Sequence, residues 1–217
     1  EIFRLTISSS RFRFLLRCIR IDDKTTRAEC AKLEKLALIR DFFSKFVENC
    51  KTGYSLSEYV TVDEKLEAFK GRCSFRQYIP SKPNKYGIKI FVLVDAKIMY
   101  TSNISSMFGF KKNSTIVSYI PKKNKNVILV SSLHHDDNID QARGKPEIIT
   151  TYNQMKCRVD VVDQLCSNYN CARSTRRWPM VVFYNILNVA GINSMVIHTC
   201  NNPNSNMKRR VFLQSCI

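Results

Sequence analysis

The sequence predicts an α+β fold, and three of its stretches carry that prediction. Apolar residues recur at steps of three and four over residues 27–49, which is typical of an amphipathic helix. Short β-rich runs occupy residues 59–101, and the mostly apolar run YGIKIFVLV at 86–94 favours a central, buried strand. Residues 180–200 form a long apolar run that several asparagines interrupt, so we expect a buried core helix rather than a membrane span.

The N-terminal part is predicted to be helical. Residues 8–10 are serines that can cap a short helix. We expect this helix to pack on the core with its arginines outside, because its apolar positions fall on one face. That face would be formed by Phe12, Leu15, Leu16 and Ile19. The helix over residues 27–49 is expected to be continuous and to end at the Lys-Thr-Gly of residues 51–53.

An antiparallel meander, a hairpin and a helix are predicted for the rest of the chain. Turn-forming residues separate the β-rich runs, and the lysine-rich connector at 121–125 is interpreted as a solvated hairpin tip. Strands are predicted at 58–62, 65–69, 86–94, 98–101, 114–119 and 126–131. Pro146 opens a helix that extends to Leu165, since proline is tolerated in a first helical turn.

The charge balance points to a polyanionic partner. The chain has 35 Lys and Arg against 18 Asp and Glu, a net charge of +17. Such an excess favours nucleic acid over a membrane surface, since no basic amphipathic membrane helix is present in the sequence. We therefore expect a nucleic-acid partner and no membrane partner.

Residue types that bind zinc are present, but their spacing does not predict a zinc site. The nine cysteines are irregularly spaced and include no Cys-x-x-Cys pair, so reduced thiols are favoured over disulfides or zinc ligation. The run His-His-Asp-Asp at 134–137 is interpreted as an exposed turn, because adjacent residues on a loop rarely converge on one ion.

Two basic segments are predicted to contact a nucleic-acid backbone. Seven basic residues between 65 and 89 follow Asp63-Glu64, and an arginine cluster at 173–177 precedes Trp178, which is expected to be a buried wedge under the next helix. An acid at a strand end followed by a basic lane suits a metal ion held against phosphates, and guanidinium groups suit phosphates themselves. The alternative is an ordinary solvated basic face. The predicted contacts are Lys70, Arg72, Arg76, Lys82, Lys85, Arg173, Arg176 and Arg177.

A second pair of acids lies on the predicted helix that Pro146 opens. Asp160 and Asp163 are three residues apart and therefore share a face of that helix. Asp160 could instead be an N-cap if the helix breaks near residues 157–158. The residues alone leave both interpretations open.

In this order the segments resemble the piggyBac family of transposases and their transposable-element-derived relatives. The similar segments cover nearly the whole chain. The most specific are the block VDE, FxGR and YIPxKPxKxGxK within residues 62–89, and VDxxDQ followed by RWP within residues 159–179. The sequence is identified on these motifs as a member of that family.

The resemblance implies a fold, a chemistry and a partner. The family has an RNase H-like catalytic core with an insertion domain, and its acids hold Mg²⁺ ions that promote cleavage and transfer of DNA at TTAA sites. By matching motif, Asp63 would be the first catalytic acid and Asp160 the last, both as metal ligands, with Asp163 as a companion. The implied partner is DNA, the transposon ends in particular, with a possible homodimer and a nuclear location.

The sequence departs from the family where the middle acid should lie. The motif that carries this acid is absent between residues 101 and 115, and Asp95, Asp136 and Asp137 are not matched replacements. Cys157-Arg158 also stands where the family commonly has Gly-Gly, and the cysteine-rich C-terminal domain has no counterpart. We therefore expect an incomplete RNase H-like core with an insertion-domain remnant and flanking helices. The expected parts are 1–56, N-terminal helices of DNA-binding or dimerisation type; 57–106, the first part of the core; 107–145, the insertion remnant; and 146–217, the C-terminal helical part.

Three hypotheses of function follow. The first is a transposase-derived DNA-binding protein that is catalytically inactive because the middle acid is missing. The second is an active Mg²⁺-dependent transposase, and the third is a decayed transposon fragment with no selected function. Loss of a central segment would also expose the flank of strand 86–94, an edge prone to association.

Overall fold

The computed structural model describes residues 6–23, 25–57, 59–103, 115–122, 125–134 and 136–216, and they form an α+β fold, as predicted. The helices are α1 (Ser9–Cys18), α2 (Arg27–Leu33), a 3₁₀ turn (Ala37–Ile39), α3 (Arg40–Gly53), α4 (Glu147–Met155), α5 (Arg158–Asn168), α6 (Trp178–Asn201) and α7 (Arg209–Ser215). The strands are β1 (Val60–Ala68), β2 (Gln77–Tyr78), β3 (Tyr86–Asp95), β4 (Thr101–Asn103), β5 (Thr115–Lys122), β6 (Lys125–Ser131), β7 (Ile139–Asp140) and β8 (Lys145–Pro146).

Strand β3 is the centre of the main sheet. It pairs antiparallel with β1 along its whole length, from Val60 opposite Asp95 to Ala68 opposite Gly87. On its other edge β2 pairs with its beginning and β4 with its end. The prediction of a central strand here is confirmed. Within the described residues, positions 88–91 of β3 have no strand partner on the edge away from β1, and the outer edge of β1 has no neighbouring strand either. The expected exposure of the β3 flank therefore applies to the middle of the strand.

One face of β3 is buried under helices α5 and α6. The alternate β3 residues that point to the helices are Ile88, Ile90, Val92 and Val94, and all four are buried. They share the core with apolar residues of both helices, among them Val162 and Val189. The apolar surface that these residues remove from water is the main stabilising contribution to the fold.

Helix α6 is a core helix. By length and composition it could cross a membrane, yet half of its apolar stretch is buried inside the protein. Its buried Asn193 is bound to the backbone of Thr101 in β4: the amide oxygen accepts from the N–H at 3.0 Å and the amide N–H donates to the carbonyl at 2.8 Å. Such buried amide pairs fix one position of the helix on the sheet.

The N-terminal helix does not pack as predicted. Ser8 does cap α1, since its hydroxyl accepts from the N–H of Arg11 at 3.2 Å, but no residue of α1 is buried. Phe12, Phe14 and Leu15 are all exposed. Of the predicted face, Phe12 and Leu15 are exposed and Leu16 and Ile19 are half-buried, so the face is not sealed against the core.

Three further predicted elements have different boundaries. The helix expected over 27–49 is broken at Glu34, whose extended backbone ends α2 and whose side chain pairs with Arg40. The helix expected over 146–165 is broken at residues 156–157. The two strands expected at 58–62 and 65–69 are one strand, β1, because its central acids lie within the ladder with β3 rather than in a turn.

The hairpin β5–β6 is present where it was predicted, and it forms a separate two-stranded sheet. The backbone pairs Thr115 with Ser131 and Tyr119 with Val127 in register. Residues 123–124 of its predicted tip lie outside the described residues. The division of the chain into four parts stays a prediction.

Asp95, at the end of β3, holds the turn that leads to β4. It is fully buried, and its carboxylate accepts backbone N–H bonds from Ser57 at 2.6 Å, Lys97 at 2.8 Å and Ile98 at 3.3 Å. Burial alone would raise the pKa of this carboxyl, but the N–H donors outweigh burial and lower its pKa.

We predict that Asp95→Asn lowers the free energy of unfolding by about 2 kcal/mol at pH 7, since an amide cannot accept all three charge-assisted bonds. Because the pKa of Asp95 is lowered in the folded state, its contribution is present above the unfolded pKa and is lost as pH falls through the folded value. Urea unfolding at pH 7 and below pH 4 measures both effects. Asp137→Asn, at an exposed carboxylate, is the control and should change little.

Candidate nucleic-acid interface

An open groove of about 1410 Å³ lies between the end of β1, the start of β3 and the segment that leads into α6. We call it the basic groove. Its two walls come from residues 67–86 and 170–184, which are far apart in the sequence. The lining residues are Glu67 to Cys73, Arg76, Pro83 to Tyr86, Asn170, Ala172 to Arg176, Val181 and Tyr184.

Cations dominate the lining of the basic groove. Six of the eight predicted DNA contacts line it: Lys70, Arg72, Arg76, Lys85, Arg173 and Arg176. Glu67 is the acid among the lining residues, and Lys65 neutralises it at 3.0 Å. The six cations come from both walls of a single concave surface, and this arrangement suits a polyanionic backbone.

Close backbone contact brings the two walls together at Gly71. A Cβ at this position would lie 2.4 Å from the ring of Phe69 and 3.1 Å from the backbone oxygen of Arg176, so the position has no room for a side chain. Arg76 braces the same loop, since its guanidinium donates to the carbonyls of Lys70 and Gly71 at 2.9 and 3.0 Å.

The second wall is anchored by α6. The amide of Asn188 accepts from the N–H of Cys171 at 3.0 Å and donates to the side chain of Asn170 at 3.0 Å. At the end of the wall Trp178 packs edge-on against Phe75 with ring centroids 5.0 Å apart. It was predicted to be a buried wedge, but it is half-buried against the edge of the core.

Two predicted DNA contacts do not line the basic groove. Arg177 is half-buried and donates to the carbonyl of Ile19 at 2.7 Å, which ties the N-terminal segment to the start of α6. Burial and the neighbouring Arg20 and Arg27 lower its pKa. Lys82 is half-buried on the loop between β2 and β3.

The predicted acids lie beyond the end of the groove, where β1 faces α4 and α5. Two contacts fix this face of β1. The Thr61 hydroxyl donates to the carbonyl of Met155 at 3.0 Å, and the Lys65 ammonium donates to the carboxylate of Asp163 at 2.8 Å. The strand and the helical segment therefore run side by side in the same direction.

Asp63 and Asp160 both lie between those two contacts, Asp63 on the strand and Asp160 on the helical segment. Asp160 is in the first turn of α5 but is not its N-cap, which is Cys157.

Lys65 occupies the position where the acids converge. The residue is 5% exposed, and its ammonium lies 3.0 Å from the carboxylate of Glu67 and 2.8 Å from that of Asp163. Burial alone would lower the pKa of this lysine, but the carboxylates of Glu67 and Asp163 outweigh burial and raise its pKa. Lys65 is therefore a permanent cation inside the acid cluster.

This arrangement does not fit a two-metal site. Such a site needs three or more carboxylates free to bind metal, whereas Asp163 and Glu67 are paired with Lys65. Asp63 and Asp160 are left, and Asp63 already accepts from the backbone N–H of Glu64 at 2.7 Å. In the described part of the chain no three His, Cys, Asp or Glu side chains are grouped to hold a metal ion.

Sequence reasoning missed Lys65 because it counted this residue in the basic lane. The signal that could have identified it is strand alternation: Lys65 is two residues after Asp63 on one strand and so points to the same side. Lys89 was also counted among the seven basic residues, but it forms an ion pair across the strands with Glu64 at 3.3 Å.

The comparison with family profiles identifies the class of protein. The profile of the family described as Transposase IS4 matches residues 1–115 and residues 105–195. The two stretches together cover most of the chain. The chain therefore belongs to this transposase family.

The solved structures include a close relative of the fold. A piggyBac transposase, determined by cryo-EM as a synaptic complex with hairpin DNA, is 30% identical to the chain and superposes with a TM-score of 0.86. The match covers 96% of this chain, which spans 62% of the length of that transposase. Together the two comparisons show a piggyBac-like protein derived from a transposase.

We predict that Lys65→Gln increases affinity for Mn²⁺ roughly tenfold, because it removes the buried cation and frees the carboxylate of Asp163. Electron paramagnetic resonance of free Mn²⁺ during titration measures the affinity without any reaction. Lys82→Gln removes the same charge away from the acids and is the control. Equal Mn²⁺ affinity in the Lys65→Gln variant and the unaltered protein would contradict the role of Lys65.

Proposed function

We propose that the chain is a transposase-derived protein that binds DNA through the basic groove and does not cut it. The observation that carries the proposal is the convergence of six predicted cations from two distant segments on one concave surface. Backbone phosphates are the ligand that such a surface suits, and the attraction would be mainly electrostatic. The DNA-bound state of the piggyBac relative supports DNA rather than RNA as the partner.

An incomplete RNase H-like core is part of the proposal. The antiparallel order of β1, β3 and β4, with Asp63 on the first strand and Asp160 on a helix beside it, supports this assignment. The family profile matches in two stretches that meet at residues 105–115, where the segment with the middle acid is missing from the sequence. The uncovered outer edge of β1 is in keeping with that loss.

We expect no cleavage of DNA for two reasons, the position of Lys65 and the missing middle acid. A lysine that binds two of the remaining carboxylates competes with divalent ions for the same oxygens. Without a third free carboxylate a two-metal mechanism loses the group that bridges or holds the second ion. The protein would act in the nucleus, where its DNA partner is located.

An active Mg²⁺-dependent transposase with TTAA specificity is the second candidate. One observation favours it: Asp63 and Asp160 both lie between the two contacts that join β1 to the helical segment, and Asp160 is exposed and has no ion pair among the described residues. A partner copy in a homodimer would then have to supply the missing acid.

We predict that affinity for duplex DNA falls steeply with salt, with a slope of log Kd against log salt of about 5 for six phosphate contacts. The double substitution Arg72→Gln, Arg173→Gln takes one cation from each wall and should lower that slope by about 2. Fluorescence anisotropy at several salt concentrations measures both. Arg210→Gln, at an exposed position in α7 outside the groove, is the matched control. An unchanged slope in the double variant would refute the groove as the DNA site.

Cleavage is tested in the same tubes with Mg²⁺ or Mn²⁺ and a duplex that contains TTAA and transposon terminal repeats. We expect binding without nicking. Metal-dependent nicking that Asp63→Ala abolishes would refute the inactive assignment and support the transposase. Neither binding nor nicking would favour a decayed fragment.

A further inference from the structure

Two tyrosines form an exposed aromatic pair at the rim of the basic groove. Tyr78 of β2 and Tyr86 of β3 are directly opposite each other across the strands, with ring centroids 4.8 Å apart. Tyr78 is 54% exposed and Tyr86 is 47% exposed. Cross-strand aromatic pairs stabilise short sheets, and their contribution to stability is largest when the rings are buried. This pair is open to solvent, so much of its ring surface is available to a ligand.

The aromatic pair is continuous with the cations of the groove. Tyr86 lines the groove itself, and the guanidinium of Arg76 lies over its ring, 5.4 Å from the centroid. Arg76 is held there by its hydrogen bonds to the loop carbonyls of Lys70 and Gly71. The guanidinium of Arg76, the ring of Tyr86 and the ring of Tyr78 thus form a row of successive contacts, of which the first two members line the groove.

The row combines the two features that bind single-stranded nucleic acid. Phosphates follow a positively charged groove, and bases stack on aromatic side chains beside it. Paired bases inside a duplex cannot use such a surface, because their faces are already stacked on their neighbours. The surface therefore fits an unpaired base at a strand end or a gap.

We propose that Tyr78 and Tyr86 form a stacking platform for an unpaired base of the DNA strand whose phosphates bind in the basic groove. This subsite rests on the proposed DNA-binding function and refines it: the preferred ligand is a duplex with a short single-stranded extension. Stacking does not read hydrogen-bonding edges, so the platform accepts any base.

The test compares two DNA probes that have the same phosphates. Each is a short duplex with a single-stranded 3′ extension, made of thymidines in one probe and of abasic nucleotides in the other. We expect the thymidine probe to bind the unaltered protein about five- to tenfold more tightly by fluorescence anisotropy, the lower part of the range for base–aromatic stacking. Tyr78→Leu and Tyr86→Leu should each reduce that ratio toward one, whereas Tyr78→Phe and Tyr86→Phe should keep it.

A blunt duplex separates this inference from the function on which it rests. If the blunt duplex binds but the thymidine and abasic probes bind with equal affinity, the stacking platform is refuted and DNA binding by the groove is supported. If both leucine variants still bind the thymidine probe more tightly than the abasic probe by the same ratio, the bases do not stack on these tyrosines. If no probe binds, the groove itself fails. Equal binding of the blunt duplex by the Tyr78→Leu and Tyr78→Phe variants shows that the fold is intact, because Tyr78 does not line the groove.

Discussion

The core that β3 shares with α5 and α6 is the constraint on which the rest of the structure depends. The alternate residues of β3 are buried in this core, and Asn193 of α6 is bound to the backbone of β4. The same helix begins at Trp178 and holds the second wall of the groove through Asn188. A shift of α6 relative to the sheet would therefore open the core and also separate the two walls of the basic groove.

Polar contacts on one face of β1 explain how a strand with four inward polar residues can pack on helices. Thr61 and Lys65 each find a partner on the facing helical segment, and Lys65 also neutralises Glu67. A buried lysine between two carboxylates satisfies charges that would otherwise be costly to desolvate. In this chain an amino-acid side chain thus carries the positive charge that the resemblance assigns to a metal ion.

The sequence predicted those parts of the fold in which an apolar run of residues is also buried in the structure. The run at 86–94 and the helix from residue 180 are apolar because they are buried, and both were found. The inward polar face of β1 has no such pattern, so its continuity and the burial of Lys65 were missed. The cations of the groove were largely predicted, but the meeting of its walls at Gly71 depends on tertiary contacts between distant segments.

The groove is built from residues 67–86 and 170–184, and this construction couples ligand binding to the free energy of unfolding. The two walls exist side by side in the folded chain alone, so a polyanion that binds the groove has no equivalent site on the unfolded chain. By mass action such a ligand adds about 2.7 kcal/mol to the free energy of unfolding at 100 times its Kd. Under the proposed function, the free energy of unfolding would therefore rise with the local concentration of DNA.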